Sequence, residues 1–121
     1  MLRVLIVDDS RVAADALTEV LRQMGQSAEA AYSGREALAT MDRLSPDLFM
    51  LDLALPDIDG YDLARRLRLV ARDGAKFVAV TGYGPGIGGN MSEHLFDEHV
   101  VKPMSPQVLL KVLALASPPP A

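Results

Sequence analysis

Phe49-Met-Leu-Asp52-Leu-Ala-Leu-Pro56-Asp-Ile-Asp-Gly60 begins as an apolar run and carries one carboxylate, Asp52, at the point where the run becomes a loop. Carboxylates are rarely buried without a partner, so Asp52 is a poor residue for a strand interior. The apolar run fits a buried strand, and the segment from Pro56 to Gly60 fits a loop leading to a helix. Open α/β sheets place their chemistry at the carboxyl ends of strands. Asp52 is therefore read as the reactive residue.

Upstream, Leu2 to Val7 is a continuous apolar run ending in Asp8-Asp9, the pattern of a buried parallel strand. Ser10 can begin a helix in which Ala13, Leu17, Val20, Leu21 and Met24 recur at helical spacing, and Gly25 stops it. Ser27 to Tyr32 is a weak, alanine-rich strand suited to a sheet edge. Ser33-Gly-Arg-Glu36 is a capping box, with Ala37, Leu38 and Met41 as the apolar face behind it. Pro46-Asp47 breaks that helix before the Asp52 strand.

Downstream, Asp59 can cap a third helix, with Leu63, Leu67 and Val70 inward and Arg65, Arg66, Arg68 and Arg72 on a solvated face. Gly74 ends it, and Phe77 to Thr81 is a fourth strand. The stretch from Gly82 to Gly89 holds five of the chain's 9 glycines. Each glycine inside a helix costs about 1 kcal/mol relative to alanine. The expectation there is a long loop to about Asn90, then a short helix near Met91 to Leu95. His99 to Val101 is a short fifth strand, followed by Lys102-Pro103. Ser105-Pro106 opens a final helix whose inner face is Val108, Leu109, Val112 and Leu113. Residues 1–116 form one domain, and 117–121 are a proline-rich tail or linker stub.

Strand and helix alternate five times, without internal repeat. That pattern specifies an α/β domain, a doubly wound parallel sheet with helices on both faces and right-handed crossovers. Half of the 121 residues are hydrophobic, enough for a core. The chain has no cysteine, which fits a reducing compartment, and cytoplasmic location is the default. A net charge of −4 without a basic stripe disfavours direct nucleic-acid binding. No apolar run is long enough to span a membrane.

Asp8-Asp9, Asp52, Thr81 and Lys102 all fall just past strand ends, so a doubly wound sheet gathers them at one edge. If the first and third strands are neighbours, three carboxylates crowd together, which is costly unless they are neutralised. A hard divalent cation suits them; Mg²⁺ takes one or two carboxylates plus water and phosphate oxygens. With the Lys102 ammonium and the Thr81 hydroxyl, these are the parts needed for phosphoryl transfer. Taken singly, each has a plainer reading: Asp9 as a helix cap, Thr81 as a strand residue, Lys102 as a surface lysine. Asp57 and Asp59 are assigned to turn and cap chemistry. His94 is read as a surface residue, and Met24, Met41, Met50 and Met104 as packing residues.

The set Leu5-Ile-Val-Asp8-Asp9-Ser10, Leu51-Asp52-Leu-Ala-Leu-Pro56-Asp-Ile-Asp-Gly60, Val80-Thr81-Gly82 and Val101-Lys102-Pro103 resembles the receiver domain of two-component response regulators. The resemblance implies a flavodoxin-like (βα)5 fold with strand order 2-1-3-4-5. It implies that Asp52 accepts a phosphoryl group from a histidine kinase or a His-containing phosphotransfer protein. It implies an Mg²⁺ site at Asp8 and Asp9, helped by Asp52 and the backbone carbonyl of Ala54. Thr81 and Lys102 would bind phosphoryl oxygens, Gly82 would leave room for them, and Lys102-Pro103 would be a cis peptide. A homodimer formed on phosphorylation is compatible with that reading; the downstream partner or output domain is not identified.

Two departures from the family pattern stand out. Leu95 takes the place of a glycine common before Phe96-Asp97, and the preceding segment is glycine-rich. His99 stands three residues before the lysine, where the family usually has Tyr or Phe as a switch that moves with Thr81. Either His99 takes that role or it sits exposed on a short edge strand. Two other readings stay open: a receiver-like interaction module without phosphorylation, and an aspartyl-phosphate phosphohydrolase. The second lacks the usual Asp two positions after the first, since Asp8 is followed by Asp9 and Ser10.

Overall fold

The computed structural model describes residues 1–82 and 95–117. The expected loop and helix between residues 83 and 94, the placement of His94 and the tail from residue 118 lie outside them. The described residues form five strands and four helices: β1 Arg3–Val7, α1 Arg11–Gln23, β2 Ser27–Ala31, α2 Gly34–Leu44, β3 Leu48–Asp52, α3 Gly60–Val70, β4 Lys76–Thr81, β5 Glu98–Val101 and α4 Pro106–Ala116. The strands make one parallel sheet in the order β2-β1-β3-β4-β5, as the alternation and the resemblance implied.

All five residues of β3 are buried, because this central strand is covered on both faces. One core layer joins Val4, Ile6, Met50 and Val78 to Leu21 of α1 and to Leu109 and Val112 of α4. The other joins Leu5, Phe49 and Phe77 to Met41 of α2 and to Leu63 and Leu67 of α3. Phe49 and Phe77 are register partners, and their rings stack with centroids 4.3 Å apart. The weak β2 lies at an edge, where its small side chains need less cover.

The helix starts follow their caps. Ser10, Ser33, Asp59 and Ser105 each accept a backbone N–H from the first turn that follows. Gly25 takes φ 87° just after α1, a conformation open to glycine at little cost.

Three inward assignments need correction. In α1 the buried line runs through Ala14, Thr18 and Leu21, while Ala13 is exposed and Val20 is 43% exposed. Hydropathy hides Thr18, which is tolerated in the core because its hydroxyl donates to the Ala14 carbonyl at 2.7 Å. In α3, Tyr61, Leu63, Ala64 and Leu67 are buried, but Val70 is 59% exposed. Val70 is the last helical residue, and Ala71, already extended, takes over packing on the core.

Arg65 and Arg68 of α3, and Arg72 just beyond it, are also more than a solvated face. Arg65 pairs with Asp62 in the same helix, and Arg72 Nε donates to Asp47 at 2.6 Å. Arg68 donates from Nε to the Leu95 carbonyl at 2.7 Å and from Nη2 to Asp97 at 3.2 Å, while its guanidinium lies 4.3 Å from the Phe77 ring centroid. Asp97 in turn accepts the Phe77 N–H, so Arg68 ties α3 to the approach to β5.

Candidate functional site

The register brings Asp8, Asp52, Thr81 and Lys102 to one edge. Val7 pairs with Leu51, Asp52 with Val80, and Thr81 with Val101, so each functional residue ends a strand or follows one. Asp8 is fixed by its own turn, where Oδ1 accepts the Ser10 N–H at 2.9 Å. Asp52 Oδ1 likewise accepts the Ala54 N–H at 2.9 Å. Lys102 Nζ donates to Asp8 Oδ2 at 2.8 Å and to Asp52 Oδ2 at 3.3 Å. The Lys102 N–H donates to the Thr81 carbonyl at 2.7 Å, and the Lys102–Pro103 peptide bond is cis. Thr81 is buried at the end of β4. Among the described residues, a Cβ built on Gly82 meets nothing within 4 Å.

Asp8 and Asp52 are buried and Asp9 is exposed, yet one carboxylate oxygen from each lies within 4.8 Å of the others. Three carboxylates thus crowd together, and the Lys102 ammonium pairs with two of them. Burial pushes the Asp52 carboxyl above its ordinary pKa; the Ala54 N–H and the Lys102 charge oppose that push, and the Asp8 charge adds to it. Burial also works against the charge on Lys102, but the hydrogen bond to Asp8 and the nearby carboxylates outweigh it and raise its pKa. A cluster that repels itself and offers only oxygen ligands fits a hard divalent cation such as Mg²⁺. Asp8, Asp9 and Asp52 are the carboxylates that would hold it. A cleft of about 590 Å³ opens beside Asp8, Asp52 and Lys102 and runs between α1 and α4, past Leu17 and Leu109.

The loop from 53 to 59 is held at several points. Asp59 caps α3 by accepting the Tyr61 N–H at 2.8 Å. Asp57 caps a different helix: its two oxygens accept the Gly34 and Arg35 N–H groups of α2, each at 3.0 Å. A local reading of the sequence assigns Asp57 to turn and cap chemistry but cannot see which helix it caps, because the partner lies 23 residues away. Gly60 is required by close approach, since a Cβ there would lie 2.6 Å from the Leu53 Cα.

His99 is partly buried on β5, rather than exposed on it. Its ring meets that of Phe96 edge-on at 5.5 Å, and Phe96 meets Tyr61 the same way at 5.6 Å. The His99 Nε2 and the Tyr61 hydroxyl are buried without a hydrogen-bond partner among the described residues.

A family model described as the response regulator receiver domain matches residues 4–114. The transcriptional regulatory protein TrcR of Mycobacterium tuberculosis is 34% identical over 119 residues, covering 90% of this chain and 42% of TrcR. A CheY-like receiver domain from Methylobacillus flagellatus superposes with a TM-score of 0.86 at 34% identity, covering 97% of this chain and 99% of that one. The response regulator TrrA of Thermotoga maritima, solved with Mg²⁺ and BeF, superposes at 0.81 with 32% identity, covering 95% of this chain and 99% of its own. TrrA has also been solved in complex with the histidine kinase ThkA, where it is 35% identical with a TM-score of 0.81, covering 97% of this chain and 100% of that one. The chain spans about half the length or less of the curated relatives it matches, 42% of TrcR and 48% of a DNA-binding response regulator, MtrA.

Proposed function

The chain belongs to the response regulator receiver domain family, and from that premise we propose that Asp52 is its phosphoacceptor, with Asp8, Asp9, Asp52 and the Ala54 carbonyl as its Mg²⁺ site. One observation carries this reading: Asp52 ends β3 with its carboxylate among Asp8, Asp9 and the Lys102 ammonium, in the lining of a cleft.

The donor is a phosphohistidine on a histidine kinase or a phosphotransfer protein. A carboxylate oxygen of Asp52 forms a bond to phosphorus as the P–N bond breaks, and the electron pair stays on the imidazole, which takes a proton. Phosphoryl transfer needs chiefly positioning and charge neutralisation. The Ala54 N–H orients the Asp52 carboxylate, and Lys102 supplies a cation on the side of Oδ2. Thr81 and the space at Gly82 receive the transferred phosphoryl oxygens. Bound Mg²⁺ would add charge neutralisation for the phosphoryl oxygens.

The proposed output is a shift between two conformations that changes a protein-binding face near β4 and β5, with Thr81 and His99 as the moving parts. The domain acts on its own aspartate and does not turn over a separate substrate. Among the described residues no helix is long and apolar enough to cross a membrane. We place the domain in the cytoplasm, where a kinase and Mg²⁺ meet it.

The test is incubation with Mg²⁺ and acetyl phosphate, read by intact mass, with Asp52→Asn as control. A gain of one phosphoryl group in the wild type alone supports the reading. No gain with acetyl phosphate or with a phosphorylated kinase overturns it and leaves an interaction module.

A further inference from the structure

Asp57 is no ligand of the carboxylate cluster, yet it is bound at both oxygens. They accept the Gly34 and Arg35 N–H groups, which α2 leaves without intrahelical partners. The first of these bonds holds the carboxyl below its usual pKa range, as does the second. A negative charge also suits the positive end of a helix dipole.

Helix α2 does not need Asp57 in order to begin. Ser33 already caps it, accepting the Glu36 N–H at 3.1 Å. The contact therefore constrains the loop more than the helix. Beside it, a Cβ on Gly34 would fall 2.1 Å from the Ile58 Cγ2, so the loop lies directly on the first residue of α2.

The platform under Asp57 is itself braced. Tyr32, just before α2, donates its hydroxyl to Asp15 and lies under the Arg11 guanidinium, 4.1 Å from the ring centroid. Both partners belong to α1, which follows Asp8 and Asp9 by a single cap residue. A line of contacts thus runs from α1 through Tyr32, the start of α2 and Asp57 to the loop that carries Ala54.

A backbone carbonyl has no side-chain torsion with which to find a metal. Its direction is set by the peptide plane, and so by what holds the loop. We propose that Asp57 is a positioning residue for the metal site: by fastening the 53–59 loop to the N-terminus of α2, it aims the Ala54 carbonyl at the Asp8, Asp9 and Asp52 cluster. The proposal rests on the receiver reading of that cluster. Groups outside the ligand shell that orient ligands commonly change metal affinity by about 10-fold or more when removed.

The test compares wild type, Asp57→Ala, Asp57→Asn and Ser33→Ala. Mg²⁺ binding to the free protein is followed by calorimetry and by the amide NMR shifts of Asp52 and Ala54. The Mg²⁺ concentration for half-maximal phosphorylation by acetyl phosphate is measured alongside. Asp57→Ala is expected to weaken Mg²⁺ binding about 10-fold and to raise the half-saturating Mg²⁺ equally, with the loss recovered at saturating Mg²⁺. Asp57→Asn, which keeps a carbonyl oxygen as acceptor, recovers part of the affinity. Ser33→Ala, which weakens α2 but leaves the Asp57 contacts in place, lowers Mg²⁺ affinity less than Asp57→Ala does. If Asp57→Ala does not fold, Asp57→Asn reads the same shift at smaller size. Wild-type Mg²⁺ affinity in the Asp57 variants overturns the proposal, as does an equal loss in Ser33→Ala. A wild type that neither binds Mg²⁺ nor gains a phosphoryl group overturns the receiver reading itself.

Discussion

Lys102 Nζ lies 2.8 Å from Asp8 Oδ2, a bond that joins the last strand's end to the first across 94 residues of chain. With Asp52 at 3.3 Å, the ammonium is shared by two buried carboxylates. Removing it leaves two negative charges facing each other with little solvent. Lys102→Met is therefore expected to destabilise the metal-free protein by about 1–3 kcal/mol, less than a fully buried pair because the lysine is partly exposed. Mg²⁺ restores the missing positive charge, so most of the loss is recovered when it is added. Urea denaturation in EDTA and in Mg²⁺ measures both; an equal loss in the two media refutes the charge-sharing account.

Asp52 carries a stability cost of its own. Burial raises its pKa in the folded protein, so the folded state binds that proton more tightly than the unfolded chain does. The contribution to stability is complete below the unfolded carboxyl value, near about 3.9, and is lost as pH rises through the raised folded value. At neutral pH the ionised Asp52 therefore works against folding. Asp52→Asn is expected to melt at a higher temperature than the wild type in EDTA at pH 7, with the gap closing as the pH falls toward 4. A gap that does not depend on pH, or that has the opposite sign, contradicts this.

Two glycines near the site separate packing from chemistry. A Cβ at Gly60 would come within 2.6 Å of the Leu53 Cα, while one at Gly82 meets nothing within 4 Å among the described residues. Gly60→Ala must shift the backbone of the 53–59 loop, and a destabilisation of about 1–3 kcal/mol is expected, as for other overpacked sites. Gly82→Ala should leave stability within about 0.5 kcal/mol of the wild type. It should slow phosphorylation of Asp52, because the added methyl occupies space the phosphoryl oxygens enter. Thermal melts and acetyl phosphate kinetics on the two variants decide it; normal kinetics in Gly82→Ala would remove Gly82 from the site.

The gathering of Asp8, Asp9, Asp52 and Lys102 was legible because each follows a short apolar run and parallel strands all end at one edge, whereas the strand order came only with the receiver resemblance. What stayed hidden was long-range pairing. Arg68 and Arg72 look like a solvated face along α3, but their partners Asp97 and Asp47 lie 29 and 25 residues away and enter only through the fold. Asp57 escaped for the same reason. Thr18 and Val70 show the other blind spot: hydropathy counts neither a hydroxyl satisfied within its own helix nor the place where the helix ends.

His99 stands where β5 meets Phe96, with its Nε2 buried and unpartnered among the described residues. A buried polar atom without a partner raises the energy of its state, which lowers the difference between that state and one in which the ring has moved. His99 and Thr81 lie on adjacent strands, where Thr81 pairs with Val101 and Ala79 with His99. A shift of Thr81 toward a phosphoryl group would vacate space on the His99 side of β4. His99→Ala removes the ring and should leave the rate of Asp52 phosphorylation unchanged. It should abolish the response of the Val100 and Val101 amide NMR signals to Mg²⁺ with beryllofluoride, a phosphoryl mimic. His99→Phe, which keeps a ring without the unpaired nitrogen, should retain the response with a smaller active fraction. Wild-type shifts at Val100 and Val101 in His99→Ala would leave His99 as a packing residue on β5 and move the search for the switch to other contacts of Thr81.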